Sequence, residues 1–210
     1  MLGGLMKNIF LLTMYVVILA AMLTGCASVG HDFNYAVTSS LELGQLKKSE
    51  YQNLIGDEPT KTSVINDNNG NYEVVCYVYS HANIATAKAR TVILEFKNDL
   101  LNAYVRTSSF DEDKNEYPSD RASEIKKGIS SKKDILTLLG KAHGKGKCPS
   151  TLADYKERCT KGAEVWSWMA MSQLSTLGHS YAGSQVKHNS IFITFDTNDI
   201  VCDIQISQDL

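Results

Sequence analysis

An α+β fold of two tandem helix–helix–antiparallel-sheet repeats is the architecture this sequence predicts. An internal repeat, strand-like alternation and a matched pair of polar turns predict it. Ser49-Glu50-Tyr51-Gln52-Asn53-Leu54-Ile55-Gly56 aligns on Lys133-Asp134-Ile135-Leu136-Thr137-Leu138-Leu139-Gly140 at an offset of 84 residues, as does Leu41-Glu42-Leu43-Gly44 on Ile125-Lys126-Lys127-Gly128. Downstream, Glu73-Val74-Val75-Cys76-Tyr77 meets Glu164-Val165-Trp166-Ser167-Trp168 at 91, and Val92-Ile93-Leu94-Glu95-Phe96 meets Ile191-Phe192-Ile193-Thr194-Phe195 at 99. Asn98-Asp99 meets Asn198-Asp199 at 100. The offset grows only in segments that read as loops, which is how duplicated units diverge.

Each copy then reads, in order, as helix, helix, strand, long hairpin loop, strand, tight turn, strand. Tyr51, Leu54 and Ile55 stand at i, i+3 and i+4, as do Ile135, Leu138 and Leu139, giving each short helix one apolar face. Gly56 and Gly140 stand where such helices end, and Ser131 with Asp134 resembles a capping pair at the start of the second. In the strands, Val92, Leu94 and Phe96 share one side, and Ile191, Ile193 and Phe195 share another. The last strand sets Ile200, Cys202, Ile204 and Ile206 against Val201, Asp203 and Gln205. Such half-polar strands belong to an antiparallel sheet with one face covered by helices. Asn98-Asp99 and Asn198-Asp199 supply turn chemistry. Residues 80–89 and 172–187 read as hairpin loops, and the acidic run 111–120 with Pro118 reads as a linker. The predicted boundaries are 1–25 for an export signal, 26–38 for a tether, 39–110 and 121–210 for the repeats, and 111–120 between them.

The export signal rests on Lys7, the run 9–23 that is apolar apart from Thr13, and its ending in Leu23-Thr24-Gly25-Cys26. The run is short for a membrane span, which takes roughly 20 residues. The ending resembles the bacterial lipobox, whose Cys is acylated and becomes the new N-terminus. An ordinary secretory signal with a chance Cys, or a plain anchor, are the alternatives. On the lipobox reading residues 1–25 are removed and Cys26 carries acyl chains of the palmitate kind, two or more of which hold a domain stably on a bilayer. Ala27 and Ser28 follow with no Asp, which by resemblance favours the outer membrane, facing the periplasm.

Composition narrows the partners. A net charge of -2 gives no support to nucleic-acid binding, which shows as a strongly basic face. Lys141, His143, Lys145 and Lys147 read as a small basic loop, with attraction to anionic headgroups as the minority alternative to plain solvation. Setting Cys26 aside leaves four cysteines of five. Cys148 and Cys159 bracket a polar segment and are expected to form a disulfide in an oxidising compartment. Cys76 and Cys202 lie in strand-like runs, where pairing and buried thiols are equally open.

Catalytic constellations do not emerge. The five histidines (31, 81, 143, 179 and 188) fall in segments read as tail or loop, without metal-ligand spacing. Neither a nucleophile elbow nor a phosphate loop occurs, and Gly144-Lys145-Gly146 is too short to cradle a phosphate. No enzyme activity, cofactor, metal or small-molecule substrate is expected. Aromatic residues remain: Tyr77 and Tyr79 share a strand face with Val75, and Trp166 and Trp168 occupy the equivalent face of the second copy. That face is either core against the helices or a partly exposed protein-binding patch, since Trp and Tyr anchor interfaces. Tyr181 is the second aromatic candidate for contact.

A Gly before a short helix, then Leu54-Ile55-Gly56-Asp57-Glu58-Pro59, then Cys76-Tyr77-Val78-Tyr79 or Trp166-Ser167-Trp168, and strands ending at Phe96 and Phe195 resemble the BamE/SmpA lipoprotein family. Lys141-Ala142-His143 departs from the pattern, and the first copy lacks the strand Trp. The tandem arrangement is similar to that of the secreted β-lactamase inhibitor protein family. The first resemblance implies an outer-membrane lipoprotein presenting a binding module to a periplasmic or outer-membrane protein, as an accessory of barrel assembly or envelope integrity. The second implies an inhibitor of a periplasmic or secreted hydrolase such as a β-lactamase.

Overall fold

Asn98 and Asp99 take up left-handed backbone, with φ of 51 and 67°, and this reverses the chain between two strands at the place the sequence marks. Asp199 does the same in the second half, at φ 63°. The computed structural model describes residues 27–82, 87–113, 117–160, 162–172 and 187–208. Cys26, His179 and Tyr181 lie outside them.

The strands are β1 (Ala27–Val29), β2 (Lys61–Asp67), β3 (Gly70–Ala82), β4 (Ala87–Lys97), β5 (Leu100–Ser108), β6 (Gly144–Lys147), β7 (Glu164–Ser172), β8 (Lys187–Phe195) and β9 (Val201–Gln208). They form one antiparallel sheet in the order β1-β3-β4-β5-β6-β7-β8-β9, with β2 beside β1 on the same edge of β3. This overturns the prediction of two helix–helix–sheet repeats: nine strands run through both halves, and helix is a minor component. The α-helices are α1 (Lys48–Ile55), α2 (Lys132–Leu139) and the single-turn α3 (Ala153–Lys156). The first predicted helix of each half is only a 3-10 segment, Tyr35–Ser40 or Ser119–Glu124. Each offers one or two side chains for burial, Tyr35 and Thr38 or Ala122, too few to stabilise a longer helix by packing.

Equivalent backbone bonds tie the helices to the sheet in both halves. The Gly44 N–H donates to the Leu101 carbonyl and the Gly128 N–H to the Val201 carbonyl, each at 2.7 Å. The Lys48 N–H donates to the Asp99 carbonyl at 3.2 Å, and the Lys132 N–H to the Asp199 carbonyl at 3.0 Å. The Ser131 hydroxyl accepts from the Asp134 N–H while the Asp134 carboxylate accepts from the Ser131 N–H, a complete capping box at α2.

The joint between the halves is β6, the segment read from sequence as a basic loop. Ala103 and Val165 flank Gly146, Tyr104 and Trp166 flank Lys145, and Val105 and Ser167 flank Gly144. A Cβ on Gly144 would lie 2.3 Å from the Tyr155 hydroxyl, and one on Gly146 would lie 2.5 Å from the Tyr155 ring. The glycines therefore let Tyr155 lie flat on the strand, a close approach that no other residue permits.

Two further expectations are corrected. The presumed tether is docked: residues 27–29 pair with β3, Phe33 and Tyr35 are buried in the first core, and Asp32 accepts a hydrogen bond from Arg90 at 2.9 Å. The presumed linker is also held, because the almost fully buried Arg90 pairs with Glu112 at 2.9 Å and Asp113 at 3.1 Å, and Lys88 reaches Asp111. The first hairpin connection is shorter than read, since β3 runs to Ala82 and β4 begins at Ala87.

Candidate protein-binding surface

Period-two alternation gives the sheet two unlike faces. On the helix-covered face, Tyr77 (1% exposed), Trp166 (4%) and Trp168 (0%) are core. Tyr77 meets Phe33 and Tyr51 with ring centroids 5.7 and 5.9 Å apart, and Trp166 meets Phe195 at 4.9 Å. Burial pushes the Tyr77 hydroxyl pKa up to about 12, with Asp57 and Glu58 adding to the shift. Tyr79 is half-buried, stacked on Phe110, with the Arg90 guanidinium 4.2 Å from the Phe110 ring. Of the two readings left open for this face, Tyr77, Trp166 and Trp168 follow the core one, packed beneath the short helices and their flanking segments, and they offer no binding patch, while Tyr79 keeps part of its surface exposed. Lys145 belongs to this arrangement, with its ammonium 4.7 Å from the Trp166 ring.

The opposite face is built from the other parity. Val74, Cys76 and Val78 of β3 stand beside Glu95, Ile93 and Thr91 of β4, and Ile93 stands beside Val105 of β5. Val74, Cys76, Val78 and Ile93 are each half-buried, and Val74 and Ile93 pack against the cluster around Tyr155, so a partly covered apolar strip remains over the first half of the sheet. Burial raises the Cys76 thiol pKa, with Lys61 pulling weakly the other way, so this sulfur stays protonated and apolar at neutral pH. Cys76 and Cys202 form no bridge with each other: they sit on strands six apart in the sheet, and Cys202 Sγ donates to the Thr194 carbonyl at 3.4 Å.

A wall bounds this surface. Cys148 and Cys159 are joined by a disulfide, Cα to Cα 5.2 Å, and the segment between them lies over the middle of the sheet. Leu152 and Tyr155 from that segment pack on Ala103, Val105, Val165 and Phe192. Tyr155 donates to the Tyr104 carbonyl at 3.1 Å and lies 2.9 Å from the Ser167 hydroxyl. Glu95, fully buried, fixes the start of the wall. Its carboxylate accepts from the Thr151 N–H at 2.6 Å, the Leu152 N–H at 3.2 Å, the Ser150 hydroxyl at 3.3 Å and the Asn102 amide at 2.6 Å. At the far side the Arg158 guanidinium lies 3.7 Å from the Phe192 ring.

The alternation that sets Val75, Tyr77 and Tyr79 on one face leaves Val74, Cys76 and Val78 on the other, and nothing in the sequence marks that second face as a surface. Glu95 and Tyr155 carried no signal beyond a lone acid in an apolar strand and a lone aromatic between cysteines. His143 lies in the bend before β6, as its loop reading has it, but is buried there, with Nδ1 accepting from the Met169 N–H at 2.9 Å. Among the described residues no three His, Cys, Asp or Glu side chains converge as a metal site would require.

No family model matches this chain, and no curated protein matches it. A solved structure from Streptococcus mutans, described as a "putative beta-lactamase inhibitor protein", is similar over 82% of this chain and 93% of its own, at 12% identity and a TM-score of 0.46.

Proposed function

We propose that this chain is an exported, lipid-anchored protein without catalytic activity whose mature part binds a folded protein outside the cytoplasm, in the manner of a hydrolase inhibitor. The observation that carries the reading is the partly exposed apolar strip of Val74, Cys76, Val78 and Ile93, walled on one side by the disulfide-closed segment. A surface whose backbone is held by sheet pairing and whose border is cross-linked loses little conformational freedom on binding. That preorganisation is what tight inhibitory complexes exploit. Cys26 supplies the anchor on this reading, through the lipobox-like Leu23-Thr24-Gly25-Cys26.

Titration of the mature chain into periplasmic and secreted hydrolases, β-lactamases first, tests it. Stoichiometric loss of one activity is expected, together with relief of inhibition by Val78→Asp at unchanged thermal stability. Photocrosslinking from Val78 and Thr91 in intact cells adds a second readout. Capture of barrel-assembly subunits instead of a hydrolase would make the protein an assembly accessory. Failure both to inhibit any hydrolase and to crosslink any protein would overturn the proposal.

A further inference from the structure

The chain leaves little slack between its lipid-bearing position and the sheet. Ala27 pairs with Ala82, Ser28 with His81 and Val29 with Ser80, so the sheet takes in the residue next to Cys26, one Cα step of about 3.8 Å away. Several contacts lock this start in place. Gly30, at φ 76°, passes so close to β3 that a Cβ would lie 2.1 Å from the Val78 carbonyl oxygen. Asp32 bonds Arg90, and Phe33 and Tyr35 are anchored in the core. A dozen free residues would let the domain wander about 20 Å from its anchor, and that freedom is missing here.

The topology also says which end is held. Ala82, Ala87 and Ser108 lie at the same end of the sheet as Ala27, whereas the turn at Asn98-Asp99 lies at the other. The 13 residues of β3 separate the two ends by about 40 Å at ~3.3 Å per residue. Ser80, His81, Ser108 and the Lys88–Asp111 ion pair populate the anchored end, polar groups suited to a headgroup zone rather than to hydrocarbon.

We infer that the docked first strand seats the β3–β4 end of the sheet directly on a lipid bilayer, so that the strands stand away from the membrane and the Asn98-Asp99 turn faces outward. The inference rests on the proposed lipidation of Cys26 and deepens it by fixing the orientation of the binding face. The apolar strip would then be presented side-on, about a strand's length from the membrane at its far end.

The test uses the full mature lipidated chain in phosphatidylethanolamine–phosphatidylglycerol vesicles containing a nitroxide-headgroup lipid as quencher. A fluorophore is placed at Lys88→Cys or at Asn98→Cys, each in a Cys76→Ser, Cys202→Ser background. Several-fold stronger quenching at position 88 than at 98 is expected. A Gly/Ser spacer of about 12 residues inserted after Cys26 should erase the difference. Gly30→Ala, which expels the first strand from its seat, should act in the same direction with Trp fluorescence unchanged. Intact mass and vesicle flotation are read in parallel. An unlipidated Cys26 would overturn the anchor and this inference together. A lipidated, floating protein with equal quenching at both positions would overturn the orientation alone.

Discussion

Glu95 fixes the start of the wall beside the candidate surface. A fully buried carboxylate is costly to desolvate, and here the cost is offset by donors from Ser150, Thr151, Leu152 and Asn102. Glu95→Ala removes the acceptor of the Thr151 N–H, leaves the Leu152 N–H and the Asn102 amide only their further acceptors, and should destabilise the protein by about 2–3 kcal/mol. Urea denaturation reads the loss, and faster proteolysis between Cys148 and Cys159 locates it. Asp134 and Asp196 each add a component of acid sensitivity. The Ser131 backbone and hydroxyl hold Asp134 below the ordinary carboxylate pKa of 3.8, and the Ile200 and Asn198 N–H groups do the same for Asp196. A depressed folded-state pKa means the unfolded chain binds protons first. The stabilisation is therefore complete above the unfolded pKa and drains away as pH falls through the folded values. Denaturation midpoints measured from about pH 5 down to about pH 2 should drop, with a shallower slope in Asp134→Asn and Asp196→Asn.

At the scale of elements, α1, α2 and the Asn-Asp turns were legible because they depend on local signals: an i, i+3, i+4 face, a capping Ser131 and turn residues that tolerate positive φ. β6 was not legible because alternation needs side chains, and Gly144 and Gly146 have none. β2 was missed for a different reason. It is an edge strand exposed on both faces along most of its length, so Lys61–Asp67 carries no burial pattern. Gly146→Ala would place a methyl 2.5 Å from the Tyr155 ring and should cost about 2–3 kcal/mol, read as a lowered Tm. Replacing Cys148 and Cys159 by Ser should cost about 2–3 kcal/mol, since the bridge closes a short loop of 11 residues' separation. The calorimetric change in that variant should coincide with exposure of Phe192 and Val165, which the segment covers.

For the whole molecule, the internal repeat revealed that two halves share a plan but not that their strands would merge. That was decided by three residues, Gly144, Lys145 and Gly146, that pair with both β5 and β7. The candidate surface was hidden by a related ambiguity. Tyr77 and Trp168 have the chemistry of an interface, yet their parity is that of the helix-covered side, and only the position of the helices settles which parity is core. A continuous sheet predicts cooperative unfolding. Both Trp residues, 166 and 168, lie in the second half, so their fluorescence reports it selectively. Hydrogen exchange at β3 and β4 reports the first half. Coincident midpoints for the two probes are expected, and a separation would mean that β6 transmits no stability between the halves.

The central position of β6 also imposes an order in time. A chain emerging from its N-terminus has β1 to β5 available while residues 144–147 are still to come, so β5 must wait with one row of backbone groups unpaired. Tyr104 and Val105, both buried in the finished molecule, remain at that unfinished border until β6 arrives. Until then the first half is an intermediate with an open strand edge, ready to pair with any other extended chain it meets.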